Sequence, residues 1–191
     1  MTEGMFSHAF LYERGSLMKK TRSITLTGMM IAVGIVIVTV LKNFGGQPIL
    51  RLFSPMHFPV ILAGLAIGPV EGLVCGVLTP ALSYLINQLP PNGPWAMMAE
   101  LGTYGLVCGL LMKMLKGQKG MAKIYLSLIP AMILGRIVGG LVTGFILNAG
   151  EYSFAAWISA YFVGTFPAII TDLILIPIIV RALQNAGLAQ K

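Results

Sequence analysis

Arg136 is the first residue whose chemistry has to be accounted for. It stands at the centre of residues 124–148, a run that is otherwise almost entirely apolar. A run of that length and composition spans a bilayer. A guanidinium at mid-depth costs about 2.5–3.5 kcal/mol on insertion scales, so it must face protein or a wet cavity. Carboxylates recur in similar settings. Glu100 lies in the outer part of another apolar run, with Tyr104 at i+4 on the same helical face. Asp172 ends a stripe of Tyr161, Thr165, Ala168 and Asp172, spaced 4, 3 and 4 along a third run. Glu71 follows Gly68-Pro69 at a helix start, where a carboxylate favours the dipole and capping is its expected role.

Two readings of these groups stand side by side. In the plainer one, Arg136 and Asp172 form a bridge between two helices and Glu100 is solvated at the rim. In the other, Glu100, Tyr104, Arg136, Tyr161 and Thr165 line a central cavity open to the outside. Arg51 and His57 then lie near its mouth, and residues 42–56 fold over it as an irregular lid: Gly45-Gly46 and two prolines break regular structure, while Ile49, Leu50, Leu52 and Phe53 are too apolar for a solvent-only loop. Helix spacing alone does not choose between the two.

Catalytic and nucleotide-binding signatures are missing. The sequence holds no G-x-x-x-x-G-K-[ST] phosphate loop, no H-E-x-x-H and no G-x-S-x-G, and its only histidines are His8 and His57. Cys75 and Cys108 both fall inside apolar runs without metal-like spacing, which is the pattern of small buried hydrophobes. An enzyme is not indicated, nor is any cofactor within this chain.

The elements that position these groups are membrane helices. Of the 191 residues 57% are hydrophobic and 10% charged, against about 25% charged in a soluble domain. The formal charge of +7 is not a nucleic-acid footprint: ten of the thirteen Lys and Arg fall in three segments that the topology puts in the cytoplasm. The predicted fold is an all-α integral membrane bundle of six transmembrane helices with both termini cytoplasmic. Spans are expected at residues 23–41, 57–67, 71–86, 95–115, 124–148 and 156–183. The second is short because residues 57–86, interrupted by Gly68-Pro69, are too few for two full crossings at 1.5 Å per residue. External loops are expected at 42–56, 87–94 and 148–153, the last with Glu151 and Tyr152, and the lysines of 113–123 mark a cytoplasmic loop. Residues 1–18 read as a disordered extension ahead of one membrane domain, 19–191. Residues 1–22 lack the apolar core of a signal peptide, so the first span is retained. On that span Gly28 and Ala32 lie four apart with Thr25 on the same side, a small-residue strip suited to close helix packing within the bundle or against another protein. No repeat relates the first three spans to the last three, as many secondary carriers would show.

From Lys19 onward the chain resembles the substrate-binding S components of energy-coupling factor (ECF) transporters. The resemblance rests on Ser54-Pro55-Met56-His57-Phe58-Pro59-Val60, Ala63-Gly64, Gly68-Pro69, Glu100-Leu101-Gly102-Thr103-Tyr104-Gly105-Leu106, Gly135-Arg136-Ile137-Val138-Gly139 and Leu175-Ile176-Pro177. It implies a six-helix subunit of the bacterial cytoplasmic membrane. Such a subunit captures a vitamin from outside and delivers it inward when docked on a transmembrane T component driven by two cytoplasmic ATPases, which bind the ATP. Gly28 and Ala32 would then be the docking strip, a variant of the family's Ala-xxx-Ala. Arg136 suits an anionic ligand such as pantothenate; Glu100, Tyr104 and Tyr161 suit a pyridoxine-like vitamin or a thiamin pyrimidine precursor. The alternatives are a stand-alone proton-coupled carrier working through Glu100 or Asp172, and a membrane scaffold or enzyme.

Overall fold

The computed structural model describes residues 2–147 and 153–189, and it is all-α. Its centre is the shortest of the core helices. α2 (His57–Ala66) has ten residues, nine of them buried. A helix that is apolar all round belongs inside a bundle, and α1 (Thr2–Phe53), α3 (Pro69–Asn87), α4 (Trp95–Met114) and α7 (Phe166–Asn185) all pack on it. α5 (Gly120–Leu141) lies against α4 and continues into a π-helical turn at Val142–Leu147; α6 (Phe154–Ile158) continues into another at Ser159–Val163. Val60, Ile61, Leu65, Leu101, Cys108 and Leu128 form the interior.

Close approach in the centre depends on three glycines. A Cβ on Gly64 or on Gly72 would run into the Gly105 carbonyl, and one on Gly105 into that of Gly72, so α2, α3 and α4 touch backbone to backbone. The turn between α2 and α3 is made by Gly68 in extended conformation, with Pro69 opening α3, where a proline sacrifices no hydrogen bond. Polar clips join α1 to both ends of α3. Ser23 donates to Glu71 in the first turn, so that carboxylate ties two helices together. At the other end Asn87 Nδ2 donates to Thr39 Oγ1 at 2.9 Å, and Lys42 Nζ to the Asn87 carbonyl at 2.7 Å.

Five helical segments are long and apolar enough to cross a membrane: Lys20–Phe53, Pro69–Asn87, Trp95–Met114, Gly120–Phe145 and Phe166–Asn185. His57–Ala66 and Phe154–Val163 are apolar but shorter. The chain is thus a multi-span membrane protein whose second helix is short, as its thirty-residue allowance demands. α1 also takes in residues 2–18, the stretch set apart in the sequence as an extension.

Two boundaries differ from expectation. Residues 42–53 are helical rather than an irregular lid. The chain kinks at Gly46 (φ 60°, ψ −154°), a conformation open to glycine, and the helix resumes with Pro48 in its new first turn. The last span is not one helix: the α6 segment ends at Gly164, and α7 starts afresh after Thr165 (φ −114°, ψ 14°) with Pro167 in its first turn. Glu151 and Tyr152 lie outside the described residues. Lys123, counted from the sequence with the basic loop, is buried within α5.

Candidate functional site

A cavity of about 710 Å³ opens between the part of α1 beyond the kink, the start of α2, the loop before α4, the start of α4, the end of α5 and the α6 segment. Its inner end gathers the charged groups. His57 is delivered by the first turn of α2, Glu100 by the second turn of α4 and Arg136 by the last part of α5; these three are 5%, 6% and 3% exposed. Arg51 and Ser54 stand at the outer end with Asn92 and Gln47. Val38, Leu50, Met56, Leu89 and Met97 supply aliphatic lining.

Glu100 is held from below. Tyr104, one turn deeper and fully buried, donates its hydroxyl to Glu100 Oε1 at 2.6 Å. Tyr104 itself fits because position 135 is glycine: a Cβ there would collide with the phenol ring. His57 Nε2 lies 3.6 Å from the same oxygen, and the His57 and Tyr104 rings sit 5.3 Å apart. His57 Nδ1 is 3.1 Å from the Ser54 carbonyl. A carbonyl only accepts, so Nδ1 carries a proton and Nε2 is the atom turned to Glu100.

Arg136 is anchored on the opposite side. Its NH1 donates to Thr165 Oγ1 at 2.9 Å, and its guanidinium carbon lies 5.3 Å from the centre of the Phe162 ring, a cation–π distance. Thr165 passes its own proton to the Tyr161 carbonyl at 2.8 Å. Thr143 donates to the Gly139 carbonyl at 2.9 Å and meets the Tyr161 hydroxyl at 3.1 Å. The backbone oxygen of Arg136 accepts from Trp157 Nε1 at 3.1 Å. Gly140 makes that possible, since a Cβ on it would occupy the indole's place. The α6 segment buries no residue, so these polar contacts, together with the Phe154–Trp157–Phe162 rings, hold it over the cavity.

The bridge between Arg136 and Asp172 does not form. Among the described residues the contact within 4.0 Å between groups of opposite kind is His57–Glu100, while Asp172 is buried with no cationic group that close. Threonine 165 wins the guanidinium because its oxygen is already fixed by the Tyr161 carbonyl. Of the residues expected at the site, the structure brings Arg51, His57, Glu100, Arg136, Tyr161 and Thr165 to one cavity wall, with Tyr104 just beneath it. The stripe on the last span keeps its inward face across the helix break: Ala168 and Asp172 are buried below Tyr161 and Thr165. Gly28 and Ala32 are elsewhere, both exposed on α1, and a Cβ on Gly28 would meet nothing within 4 Å. Thr143, Asn92 and Gln47 were not anticipated. Thr143 lies seven residues after Arg136, on the same face of one helix, and that spacing would have found it. Among the described residues no group of His, Cys, Asp and Glu could hold a metal, and Cys75 and Cys108 are buried free thiols.

A cavity of this size with charged groups and an aliphatic wall can hold a small polar molecule. No curated protein and no solved structure matches the chain. The family model described as "ECF transporter, substrate-specific component" matches residues 22–180. The chain belongs to the family of ECF transporter substrate-specific components, which are non-catalytic transport subunits.

Proposed function

We propose that this protein captures a small water-soluble vitamin or vitamin precursor at the outer face of the bacterial cytoplasmic membrane and delivers it inward when docked on a T component and two ATPases. The observation that carries the reading is the convergence of His57, Glu100 and Arg136, all nearly buried, on one cavity of about 710 Å³. Burying three ionisable groups at membrane depth is costly unless they are used, and the volume falls within the range of small-molecule sites. Arg51, Tyr161 and Thr165 contact the ligand, and Tyr104 fixes the Glu100 carboxylate. Pantothenate, a pyridoxine-like vitamin and a thiamin pyrimidine precursor all fall within the size range.

The remaining features fit the same reading. Residues 19–191 act as one domain with six crossings and both termini inside, α2 serving as the short second crossing. The exposed Gly28–Ala32 strip on α1 meets the T component, because small residues allow helices to approach closely. The test is mass spectrometry of small molecules released from the chain expressed alone and purified in detergent. Recovery of one vitamin near equimolar ratio is the expected result. A chain that carries no small molecule, and that does not co-purify with ATPase subunits when they are co-expressed, would refute the proposal.

A further inference from the structure

The hydrogen-bond directions around the cavity restrict what its ligand is made of, given the capture reading above. Each hydroxyl on the inner wall has one proton, and each is already spent. Thr165 gives its proton to the Tyr161 carbonyl and Thr143 to the Gly139 carbonyl. Carbonyls cannot donate, so the contact between Thr143 and Tyr161 must use the Tyr161 proton. Ser54, nearer the mouth, gives its proton to the Arg51 carbonyl. What these groups turn towards a ligand is lone pairs. Glu100 adds a carboxylate, which also only accepts. This part of the wall therefore asks its ligand for O–H or N–H donors.

The arginines ask for the opposite. Arg136 spends NH1 on Thr165. Neither Arg136 nor Arg51 has a carboxylate within 4.0 Å among the described residues, and both face the cavity. Among the described residues the lining carries two guanidinium groups, Arg51 and Arg136, against one carboxylate, Glu100, a positive balance that favours an anion. Much of the remaining lining is aliphatic: Val38, Leu50, Met56, Leu89 and Met97. Among the described residues the aromatic rings on the wall are Tyr161 and His57, and the latter is packed on Tyr104, so they do not form a facing pair for a flat heterocycle.

We infer that the ligand is a monoanionic aliphatic acid bearing hydroxyl or amide N–H donors, its carboxylate turned to Arg51 and Arg136 and its donors to Glu100. The test is calorimetric titration of the detergent-purified chain, freed of endogenous ligand, with four probes. Pantothenate has the inferred chemistry, panthenol has the same body without the carboxylate, pyridoxine is a neutral heterocycle and thiamin a cationic one. Pantothenate is expected to bind about 10- to 100-fold more tightly than panthenol, the range for hydrogen bonds to a charged partner. Arg51→Gln, at an exposed position that does not endanger folding, is expected to shrink that ratio by about 5-fold or more. Equal affinity for pantothenate and panthenol overturns the inference, as does a preference for pyridoxine or thiamin; in both cases capture itself stands. Binding of none of the four overturns it too, and an empty native preparation that also fails to co-purify with ATPase subunits would then remove the capture reading as well.

Discussion

Replacing Gly135 by alanine adds one methyl group, and its cost can be worked out from what that methyl meets. The added Cβ would overlap Cδ1 and Cε1 of Tyr104 and come within 2.9 Å of the Glu100 carbonyl. Tyr104 is fully buried, packed at a tilt against His57 and hydrogen-bonded to Glu100, so its ring has nowhere to retreat. Overpacking of this kind costs about 1–3 kcal/mol, and a displaced ring would also give up a hydrogen bond to a charged group, about 1.5–3 kcal/mol. Against that stands the helix preference for alanine, about 1 kcal/mol. A net loss of about 2–4 kcal/mol is expected, which for a chain of this length lowers the melting temperature by about 5–10 °C. Ligand affinity should fall as well, because Glu100 loses the group that aims it. Gly28→Ala is the matched control: its methyl meets nothing within 4 Å, so melting and ligand binding should hold or improve slightly. The assay is thermal unfolding of both variants in detergent, with and without the co-purified ligand. Combining Gly135→Ala with Tyr104→Leu should recover part of the loss, since the pair shares one space. If Gly135→Ala melts and binds as Gly28→Ala does, the packing of α4 against α5 described here is wrong.

Arg136→Ala and Glu100→Ala should each weaken ligand binding by at least about 10-fold, as expected for loss of a charged hydrogen-bonding group, while association with the T component persists in a pull-down; loss of both together would point to misfolding instead. Gly28→Leu should do the reverse, keeping ligand binding and losing the T component, and unchanged association would remove the strip on α1 from the docking face. Gly105→Ala places a methyl against the Gly72 carbonyl at the meeting point of α2, α3 and α4. With backbone on the receiving side there is no side chain to yield, so a loss of about 3 kcal/mol or more is expected, read as failure to recover monodisperse protein in detergent.

Why six of the seven expected site residues line one cavity, while two helix ends were misplaced, has a single physical origin. A charge or hydroxyl in an apolar helix is legible in the sequence because the bilayer penalises it wherever it does not face protein or water. Arg136, Glu100 and Asp172 could only turn inward, and regular spacing carried Tyr104 and Thr165 with them. The short α2 was legible for a similarly global reason, chain length against membrane thickness. Continuity of a helix past a glycine is a local matter, settled by a few torsions and by which hydrogen bonds are on offer. Gly46 turns the chain and lets Pro48 start another helical stretch, where composition suggested a loop. Near Gly164 the π-helical turns shift the register that i+4 counting assumes, so Trp157, absent from every pattern, arrives at the Arg136 carbonyl. The preference of Arg136 for Thr165 over Asp172 belongs to the same level. Charge matching favoured the carboxylate, but the threonine oxygen, held by its 2.8 Å bond to the Tyr161 carbonyl, stands 2.9 Å from the guanidinium. Among the described residues that choice leaves the remaining guanidinium N–H groups without a carboxylate within 4.0 Å, and it is these groups that the inferred anion would meet.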